Sequence, residues 1–248
     1  MPYSEQTTAE SSFFIQQDWK AYTAEQHGVW GILYERRMNH LREVASRVFL
    51  DGADRIGLRR DCVPDLKHVN EKLAELTGWS AVAVSGFLPA REFFGCLARR
   101  RFPTTVIVRT RKQLDYLPEP DIFHDVFGHV PLHADPVFAS FLQRFGTLAS
   151  RAESDEEVER MARLFWFTVE FGLIRENDRT KVYGSGLISS AGDCANALSE
   201  RCERRPFSLG AVMSQPFEID RLQDVLFVIE SFEELFSALE EAESHQLT

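Results

Sequence analysis

Residues 117–132 read LPEPDIFHDVFGHVPL, a stretch in which two histidines lie among prolines, aromatic rings and carboxylates. On a regular α-helix, the five-position spacing of His124 and His129 would point their side chains about 140° apart, because each residue turns the helix by ~100°. Gly128 can leave helical geometry without steric cost, and Pro131 discourages the helix from continuing. The stretch therefore predicts a helix that carries His124 and ends near Gly128, so that His129 turns back and both imidazoles can bind one metal ion.

A third candidate ligand is Glu170, near the centre of the apolar run LFWFTVEFGLI at residues 164–174. An ionised carboxylate in such surroundings is costly unless a positive group compensates it. Arg163 or Arg175 could compensate it as an ion pair. Alternatively, Glu170 completes a site with the two histidines. Two imidazoles and one carboxylate that leave other positions open suit a non-haem Fe(II) centre, and a catalytic zinc ion accepts the same three ligands.

The composition is that of an ordinary folded protein, and it excludes some classes of function. Of the 248 residues, 44% are hydrophobic, 27% are charged and 12% are aromatic, and the formal net charge is -10. A chain this acidic lacks the excess of Lys and Arg that general nucleic-acid binding needs. Its four cysteines form no C-x-x-C pair, which favours free thiols, and neither a leader peptide nor a long apolar segment is recognisable. We therefore expect a cytoplasmic protein with no nucleic-acid or membrane partner.

Periodicity and turn residues predict a mainly α (α+β) fold in a single domain, with many helices and a few short strands. The predicted helices cover residues 23–49, 64–76, 89–100, 136–148, 155–173 and 231–243. The predicted strands are SAVAVS, TTVIVRT and VLFVI, at residues 80–85, 104–110 and 225–229. Residues 183–193, YGSGLISSAGD, are expected to form a loop. We expect residues 1–20 to be a flexible N-terminal segment and residues 21–243 to form the domain.

Three motifs succeed one another along the chain: PEPDIFHDVFGHVPL at residues 118–132, WFTVEFGLI at 166–174 and YGSGLISS at 183–190. They are accompanied by YTAEQHGVWGILYERR and RRRFPTTVIVR upstream, and by FVIESFEELF near the C-terminus. In this order and separation the motifs resemble the pterin-dependent aromatic amino acid hydroxylases, most of all the short bacterial members that act on phenylalanine. The resemblance covers most of the chain and implies the fold of that family's catalytic domain.

The resemblance implies that the two histidines and Glu170 bind a catalytic Fe(II), with a tetrahydropterin beside it and O2 as co-substrate. Phe93 falls where the family stacks the pterin, and an aromatic face suits a flat heterocycle. Asp125 stands next to the first histidine, where the resemblance implies polar contacts on the pterin side. Phe165 replaces the tyrosine that family members usually carry near the pterin. We therefore assign these last three residues to pterin binding.

For the substrate, the resemblance implies that Arg109 binds the carboxylate of the amino acid. Arg109 ends an apolar strand, where a guanidinium is costly without an anion, and its planar fork suits bidentate capture of a carboxylate. Ser189 lies in the loop that, in the family, steadies both the substrate and a histidine ligand. By the same resemblance, the wall around the aromatic ring consists of Pro120, Trp166 and Phe171.

The activity that the resemblance implies is insertion of one atom of O2 into the ring of a free aromatic L-amino acid, converting L-phenylalanine to L-tyrosine. Phe165 and the segment AGDCANAL at residues 191–198 depart from the family's commoner pattern. A phenylalanine 3-hydroxylase that forms meta-tyrosine and a tryptophan hydroxylase are therefore alternatives. A zinc hydrolase with the same ligands is another, as is a non-catalytic amino-acid-binding protein. The length leaves no room for a regulatory domain or a tetramerisation tail, so we expect a monomer.

Overall fold

Helices make up most of the chain, and several of them begin at polar caps that are visible in the sequence. The computed structural model describes residues 13–115 and 117–246, without the side chains of residues 241 and 244–246. The α-helices are α1 (Ala24–Val44), α2 (Arg47–Arg55), α3 (Leu66–Leu76), α4 (Ala90–Ala98), α5 (Pro136–Ala149), α6 (Asp155–Phe165), α7 (Ser185–Ser189), α8 (Ala191–Leu198), α9 (Leu209–Ser214) and α10 (Phe232–Gln246). Thr23, Asp135 and Ser154 cap α1, α5 and α6 by accepting hydrogen bonds from backbone N–H groups of the first turn. The predicted mainly helical fold is confirmed.

Two short segments are π-helical, with backbone hydrogen bonds that reach back five residues. We call Phe123–His129 the histidine turn and Trp166–Glu170 the glutamate turn. Shorter 3₁₀ turns occupy Trp19–Ala21, Arg111–Gln113 and Val130–Ala134. π-helical turns are rare and occur frequently at functional sites. The side chains that these two turns carry are therefore candidates for a functional site.

The single helix predicted over residues 23–49 is wrong, because the chain forms α1 and α2 with a break between them. At the break, the backbone N–H of Ser46 donates to the O of Val182, at the end of the neighbouring strand, at 2.8 Å. The Ser46 hydroxyl then accepts from the N–H of Phe49 at 3.2 Å and starts α2. Helical periodicity continues through the break, so the sequence pattern alone did not reveal it.

The strands form two separate sheets. β1 (Ser80–Val84) and β2 (Arg101–Thr105) make a parallel pair. The strands β3 (Leu173–Glu176), β4 (Arg179–Val182), β5 (Glu203–Pro206) and β6 (Val225–Ile229) make the second sheet, in the order β4-β3-β6-β5. In this sheet β3 and β4 are antiparallel, and the two-residue turn between them holds Asn177 and Asp178 at φ values of 51° and 60°, as tight hairpins require. The strands predicted from SAVAVS and VLFVI are confirmed.

The strand predicted from TTVIVRT is misplaced, because β2 ends at Thr105 and the next apolar residues leave the sheet. At the end of β2 and just beyond it, two carboxylate side chains accept backbone hydrogen bonds. Asp125 Oδ2 accepts from the N–H of Thr105 at 2.6 Å, and Asp121 Oδ2 accepts from the N–H of Arg109 at 3.1 Å. The carboxylates of the histidine-containing stretch therefore determine where β2 stops.

The loop predicted over residues 183–193 is also wrong, since this segment forms α7 and the start of α8. The Ser190 hydroxyl accepts from the N–H of Asp193 at 3.2 Å and caps α8. α7 packs directly on the histidine turn, so tertiary contact supports a helix whose Gly/Ser-rich sequence favours a loop on its own.

Part of the predicted flexible segment, residues 1–20, is bonded to the domain. The N–H of Ile15 donates to the O of Ala83 in β1 at 3.0 Å, and Gln17 Nε2 donates to the O of Pro64 at 3.0 Å. Residues 1–12 lie outside the described part of the chain.

An aromatic cluster holds the histidine turn in the core. The rings of Phe123 and Phe127 stack with centroids 4.5 Å apart, and both residues are fully buried. Trp30 from α1 lies edge-on to both rings, and Phe49 from α2 lies edge-on to Phe127. One face of the turn is therefore anchored to α1 and α2, and its histidines occupy the other face.

Two expectations from composition can be compared with the structure. Cys62, Cys194 and Cys202 are free thiols, as predicted. Within the described residues, no helix is both long and apolar enough to cross a membrane.

Candidate metal centre

The histidine turn brings His124 and His129 onto one face, because in a π-helical turn residues five positions apart lie above one another. The predicted end of the helix at Gly128 is wrong. The chain widens instead of stopping, and a 3₁₀ turn with Pro131 in its first positions comes next. Gly128 has a different role, since a Cβ there would lie 3.0 Å from the backbone O of Ser185 and 3.2 Å from its Cβ. The missing side chain allows α7 to approach closely.

Glu170 ends the glutamate turn. α6 does not continue as far as predicted, and the helix widens so that the N–H of Phe171 bonds to the O of Trp166 at 2.8 Å. The chain then enters β3 through Gly172, where a Cβ would lie 2.1 Å from the O of Thr168. A side chain does not fit there, so this glycine allows the sharp exit after Glu170.

The three candidate ligands point at one another. His129 Nε2 lies 3.1 Å from Glu170 Oε1, and His124 Nε2 lies 3.6 Å from Glu170 Oε2. Taking one ligand atom from each residue, all three atoms lie within 4.8 Å of one another. The two imidazole rings are nearly perpendicular, with their centroids 5.1 Å apart. The predicted triad is thus assembled from two separate π-helical turns.

The structure contradicts the alternative in which Arg163 or Arg175 neutralises Glu170. Arg163 Nη2 bonds to Glu159 at 3.0 Å, and Arg175 Nε bonds to Glu230 at 3.3 Å. The carboxylate of Glu170 is instead paired with the imidazoles of His124 and His129.

Two serines of α7 orient the ligands. The Ser189 hydroxyl donates to the backbone O of Ser185 at 2.8 Å, so it accepts from His124 Nδ1 at 2.9 Å. A proton on Nδ1 leaves the Nε2 lone pair facing Glu170, which is the tautomer that a metal ligand needs. The Ser185 hydroxyl donates to Glu170 Oε2 at 2.6 Å. α7 therefore sets the direction of one imidazole and of the carboxylate.

The carboxyl group of Glu170 stays ionised although its side chain is only 15% exposed. Burial acts to raise its pKa, but His129, His124 and the Ser185 hydroxyl outweigh burial and lower the pKa to about 2. His129 Nδ1 is buried and has no hydrogen-bond partner among the described residues. A metal ion on Nε2 of that ring would leave its proton on Nδ1.

The donor set fits a divalent metal ion. Ligand atoms at about 2.1 Å from a metal and at right angles to each other lie about 3 Å apart. The separations of 3.1 Å and 3.6 Å between the carboxylate and the imidazoles are close to that value. Two neutral imidazoles and one carboxylate that leave further positions open are typical of non-haem Fe(II) centres, and a catalytic zinc ion accepts the same set.

The two aromatic residues predicted for the pterin side lie next to His129. The Phe165 ring is 6.4 Å from the His129 ring, and Phe93 lies at right angles to Phe165 with centroids 5.4 Å apart. Phe102, which sequence reasoning missed, lies between these groups, with its ring 4.6 Å from His129 and 6.0 Å from Phe93. The structure therefore brings the predicted aromatic residues together beside one ligand.

Asp125, also predicted for the pterin side, is almost fully buried beside the first histidine. Its Oδ2 accepts from the backbone N–H and the hydroxyl of Thr105, at 2.6 Å and 2.8 Å. Burial raises the pKa of Asp125 to about 6, although His124 and the donors of Thr105 act to lower it. Hydrogen bonding of Asp125 to β2 keeps this carboxyl group in place.

Arg109 has an anionic partner within the chain. Its Nε and Nη2 donate to the two carboxylate oxygens of Asp121 at 2.9 Å and 2.8 Å. Asp121 is fully buried, and its Oδ1 also accepts from the backbone N–H of His124 at 3.2 Å. The anion that the sequence requires near Arg109 is thus Asp121, and this ion pair joins Arg109 to the start of the histidine turn.

Two of the three residues predicted to surround the substrate ring pack on each other. Trp166 and Phe171 pack together with centroids 4.6 Å apart, and Phe217 stacks on Trp166 at 4.5 Å. Pro120 is exposed, and its backbone O accepts from the hydroxyl of Thr105 at 3.3 Å. The tryptophan and the phenylalanine therefore form one cluster, to which Phe217 is an unpredicted addition.

Several supporting residues were missed by sequence reasoning. Asp121 stands three positions before His124, which is a common place for an acidic N-cap. This spacing could have revealed the role of Asp121 from the sequence. Ser185 is recognisable only from its contact with Glu170. His133 was overlooked as well: its Nδ1 donates to the O of His129 at 3.0 Å, and burial lowers its pKa to about 3, so the ring is neutral.

Comparisons with known proteins extend over almost the whole chain. Residues 18–245 match the family of biopterin-dependent aromatic amino acid hydroxylases. The phenylalanine-4-hydroxylase of Caulobacter vibrioides is 44% identical over 228 residues, which cover 92% of this chain and 78% of that protein. The tyrosine 3-monooxygenase of Canis lupus familiaris is 41% identical over 215 residues, which cover 85% of this chain and 43% of that protein.

A solved structure agrees with these sequence matches. Phenylalanine hydroxylase from Chromobacterium violaceum, with bound iron(III) and the oxidised cofactor 7,8-dihydrobiopterin, superposes with a TM-score of 0.90 at 40% identity, covering 100% of this chain and 93% of that one. The fold and the sequence of nearly the entire chain therefore point to the same iron-containing family as its triad of two histidines and one glutamate. The chain belongs to the biopterin-dependent aromatic amino acid hydroxylases.

Proposed function

We propose that this protein is a phenylalanine hydroxylase, which converts free L-phenylalanine to L-tyrosine with O2 and a tetrahydropterin. The observation that carries the proposal is the convergence of His124, His129 and Glu170, with the tautomer of the first ring set by Ser189. The similarity to bacterial phenylalanine-4-hydroxylases supports the choice of substrate.

Fe(II) held by this triad, together with a tetrahydropterin, would supply the activation of O2 and the insertion of one oxygen atom into the ring. The chain itself contributes by positioning the groups that react. His124, His129 and Glu170, all carried by the two π-helical turns, would hold the ion, and three protein ligands would leave further coordination positions open. Holding the reacting groups close together removes an entropic part of the barrier.

For the pterin we propose a site bounded by Phe93, Phe165 and Asp125. The two rings supply apolar surface for a flat heterocycle beside His129. Thr105 engages one oxygen of Asp125, and we propose that the other oxygen accepts a hydrogen bond from the pterin.

For the substrate we propose that Arg109 binds the carboxylate through the donors that Asp121 does not use. Its Nη1 is outside the bidentate pair, and the pair holds the guanidinium plane fixed, so little side-chain entropy is lost on binding. Ser189 steadies the metal-bound histidine, and the ring of the amino acid would contact Pro120, Trp166 and Phe171.

The test is anaerobic reconstitution with Fe(II), and then addition of O2, tetrahydrobiopterin and phenylalanine, tyrosine or tryptophan in separate reactions. We expect para-tyrosine from phenylalanine, identified by chromatography coupled to mass spectrometry, with pterin oxidised in proportion. Formation of meta-tyrosine, or turnover of tryptophan alone, would overturn the assigned product. Hydrolytic turnover with zinc and no pterin would overturn the reaction class, and His129→Ala serves as the inactive control.

We also propose that the protein is a cytoplasmic monomer. Light scattering on a size-exclusion column should then give a mass near 28.4 kDa, whereas about four times that value would contradict it. Fractionation of cells should recover the protein with the soluble contents.

A further inference from the structure

Arg37, in the middle of α1, is a buried cation with an unusual set of partners. The residue is 5% exposed. Its Nε donates to the O of Ile188 at 2.7 Å, and its Nη2 donates to the O of Leu187 at 2.9 Å. Among the described residues, no carboxylate forms an ion pair with Arg37. Because a buried guanidinium is costly without good acceptors, these two carbonyl groups, together with the neighbouring side chain of Cys194 in α8, are what allow it to be there.

The two carbonyl groups belong to the last turn of α7, a helix of five residues. A helix this short is not stable by itself, and the carbonyl groups at its C-terminal end have no partner within the helix. Arg37 supplies donors to two of them and places a positive charge at the negative end of the helix. It therefore fixes the end of α7 against α1.

α7 is also the element that orients two of the three candidate metal ligands. Ser189 accepts from Nδ1 of His124, and Ser185 donates to Glu170. Ser189 in addition donates to the backbone O of Ser185, so the two serines move together. A shift or rotation of α7 would change the direction of one imidazole and of the carboxylate at the same time.

We propose that Arg37 is a positioning residue for the metal centre, which it orders by fixing the C-terminal end of α7. The proposal rests on the metal site proposed above. Arg37 acts on the candidate ligands only through α7. The proposal therefore gives α1 a role in metal affinity.

The experiment compares Co(II) binding by the full-length wild-type protein with binding by Arg37→Met and Arg37→Lys. Co(II) is titrated without O2, and its visible absorption bands report both affinity and ligand geometry. Arg37→Met keeps much of the volume but donates no hydrogen bond, so we expect affinity to fall about 10- to 100-fold, as for other losses of groups that orient ligands. The absorption bands should also change. Arg37→Lys retains donors and should recover part of the affinity.

Arg204→Met is the control for the hydrogen bonds, because Arg204 Nη1 also donates to two carbonyl groups at the end of a helix, those of Ala197 and Ser199 at the end of α8, at 3.0 Å and 2.6 Å. Its Co(II) affinity should stay within about twofold of wild type. Urea unfolding of each protein without metal gives the change in stability separately. If Arg37→Met only lowers stability and binds Co(II) with wild-type affinity and spectrum, the inference is overturned.

Two further outcomes are decisive. If Arg37→Met does not fold, Arg37→Lys carries the test, and unchanged affinity and bands in that variant would overturn the inference. If wild type itself does not bind Co(II), or if His124→Ala binds it equally well, the proposed metal site fails, and this inference fails with it. If His124→Ala loses Co(II) binding while both Arg37 variants bind it fully, the inference about Arg37 is overturned and the proposed metal site stands.

Discussion

The hydroxyl group of Ser189 determines which nitrogen of His124 carries the proton. In Ser189→Ala that acceptor is lost, so the ring can rotate and its proton can move to the nitrogen that should bind metal. We expect about a 10- to 100-fold loss of Co(II) or Fe(II) affinity, measured by anaerobic titration, with a fold that is intact by circular dichroism.

Ser199→Ala is the control for that change. Ser199 lies at the C-terminal end of α8, as Ser189 lies at that of α7, and it also donates to a carbonyl group, that of Asn196 at 2.8 Å, but it bonds to no candidate ligand. It should bind metal as wild type does. Equal losses in both variants would mean that the Ser189 effect is not specific to His124.

At the scale of single residues, the sequence was informative about ligands and less so about their supports. His124, His129 and Glu170 were identifiable because their side chains are of types that bind metals and lie among apolar residues, where a polar group without a partner is costly. Ser185 and Thr105 act through contacts between residues far apart in the chain, and nothing in their local sequence distinguishes them from surface residues. Arg109 was predicted to need an anion, but the anion proved to be Asp121 of the same chain.

Among the secondary-structure elements, the closest approach at the site is between the histidine turn and α7. Gly128→Ala would place a Cβ 3.0 Å from the backbone O of Ser185, so α7 or the turn must shift. We expect the free energy of unfolding to fall by about 1–3 kcal/mol, as for other overpacked positions, with a parallel loss of metal affinity. Urea unfolding and Co(II) titration measure the two effects.

Gly192→Ala provides the comparison. This glycine lies in α8, and nothing approaches within 4 Å of the position that its Cβ would take. Because alanine favours helix formation over glycine by about 1 kcal/mol, this variant should be neutral or slightly more stable. If Gly128→Ala behaves in the same way, the contact with α7 is not tight.

The sequence predicted most elements but not the π-helical turns. Hydrophobic periodicity predicted one helix over residues 155–173, which runs through the glutamate turn, and proline and glycine suggested that a helix stops within the histidine turn. A π-helical turn depends on one additional residue in a helix whose neighbours hold it in place, here Phe123 and Phe127 packed against α1 and α2. Such packing has no short-range signature, which is why the spacing of the histidines looked irregular.

For the whole molecule, metal binding should raise the free energy of unfolding. The triad joins turns that precede α5 and come after α6, so a bound ion links segments that are separate in the sequence. At a free metal concentration 100 times the dissociation constant, linkage adds ~2.7 kcal/mol. For a chain of this length, this corresponds to a rise in Tm of about 5–10 °C, measurable by calorimetry with Co(II).

His129→Ala should show no such rise, whatever its own Tm, because the triad is incomplete. An equal rise in the variant would show that the added metal binds somewhere else. Addition of a chelator to the wild-type protein should return its Tm to the value without metal.

The two π-helical turns also have a genetic consequence. Each contains one residue more than an α-helix would need to make the same connection, and the ligands face one another because of that residue. In-frame loss of a single codon between His124 and His129 would leave the rest of the chain in frame and set the two histidines four positions apart, the spacing at which a regular α-helix brings two side chains to about 40° of each other. A gene one codon shorter would therefore still direct both imidazoles to one side, with a regular α-helical turn in place of the π-helical one.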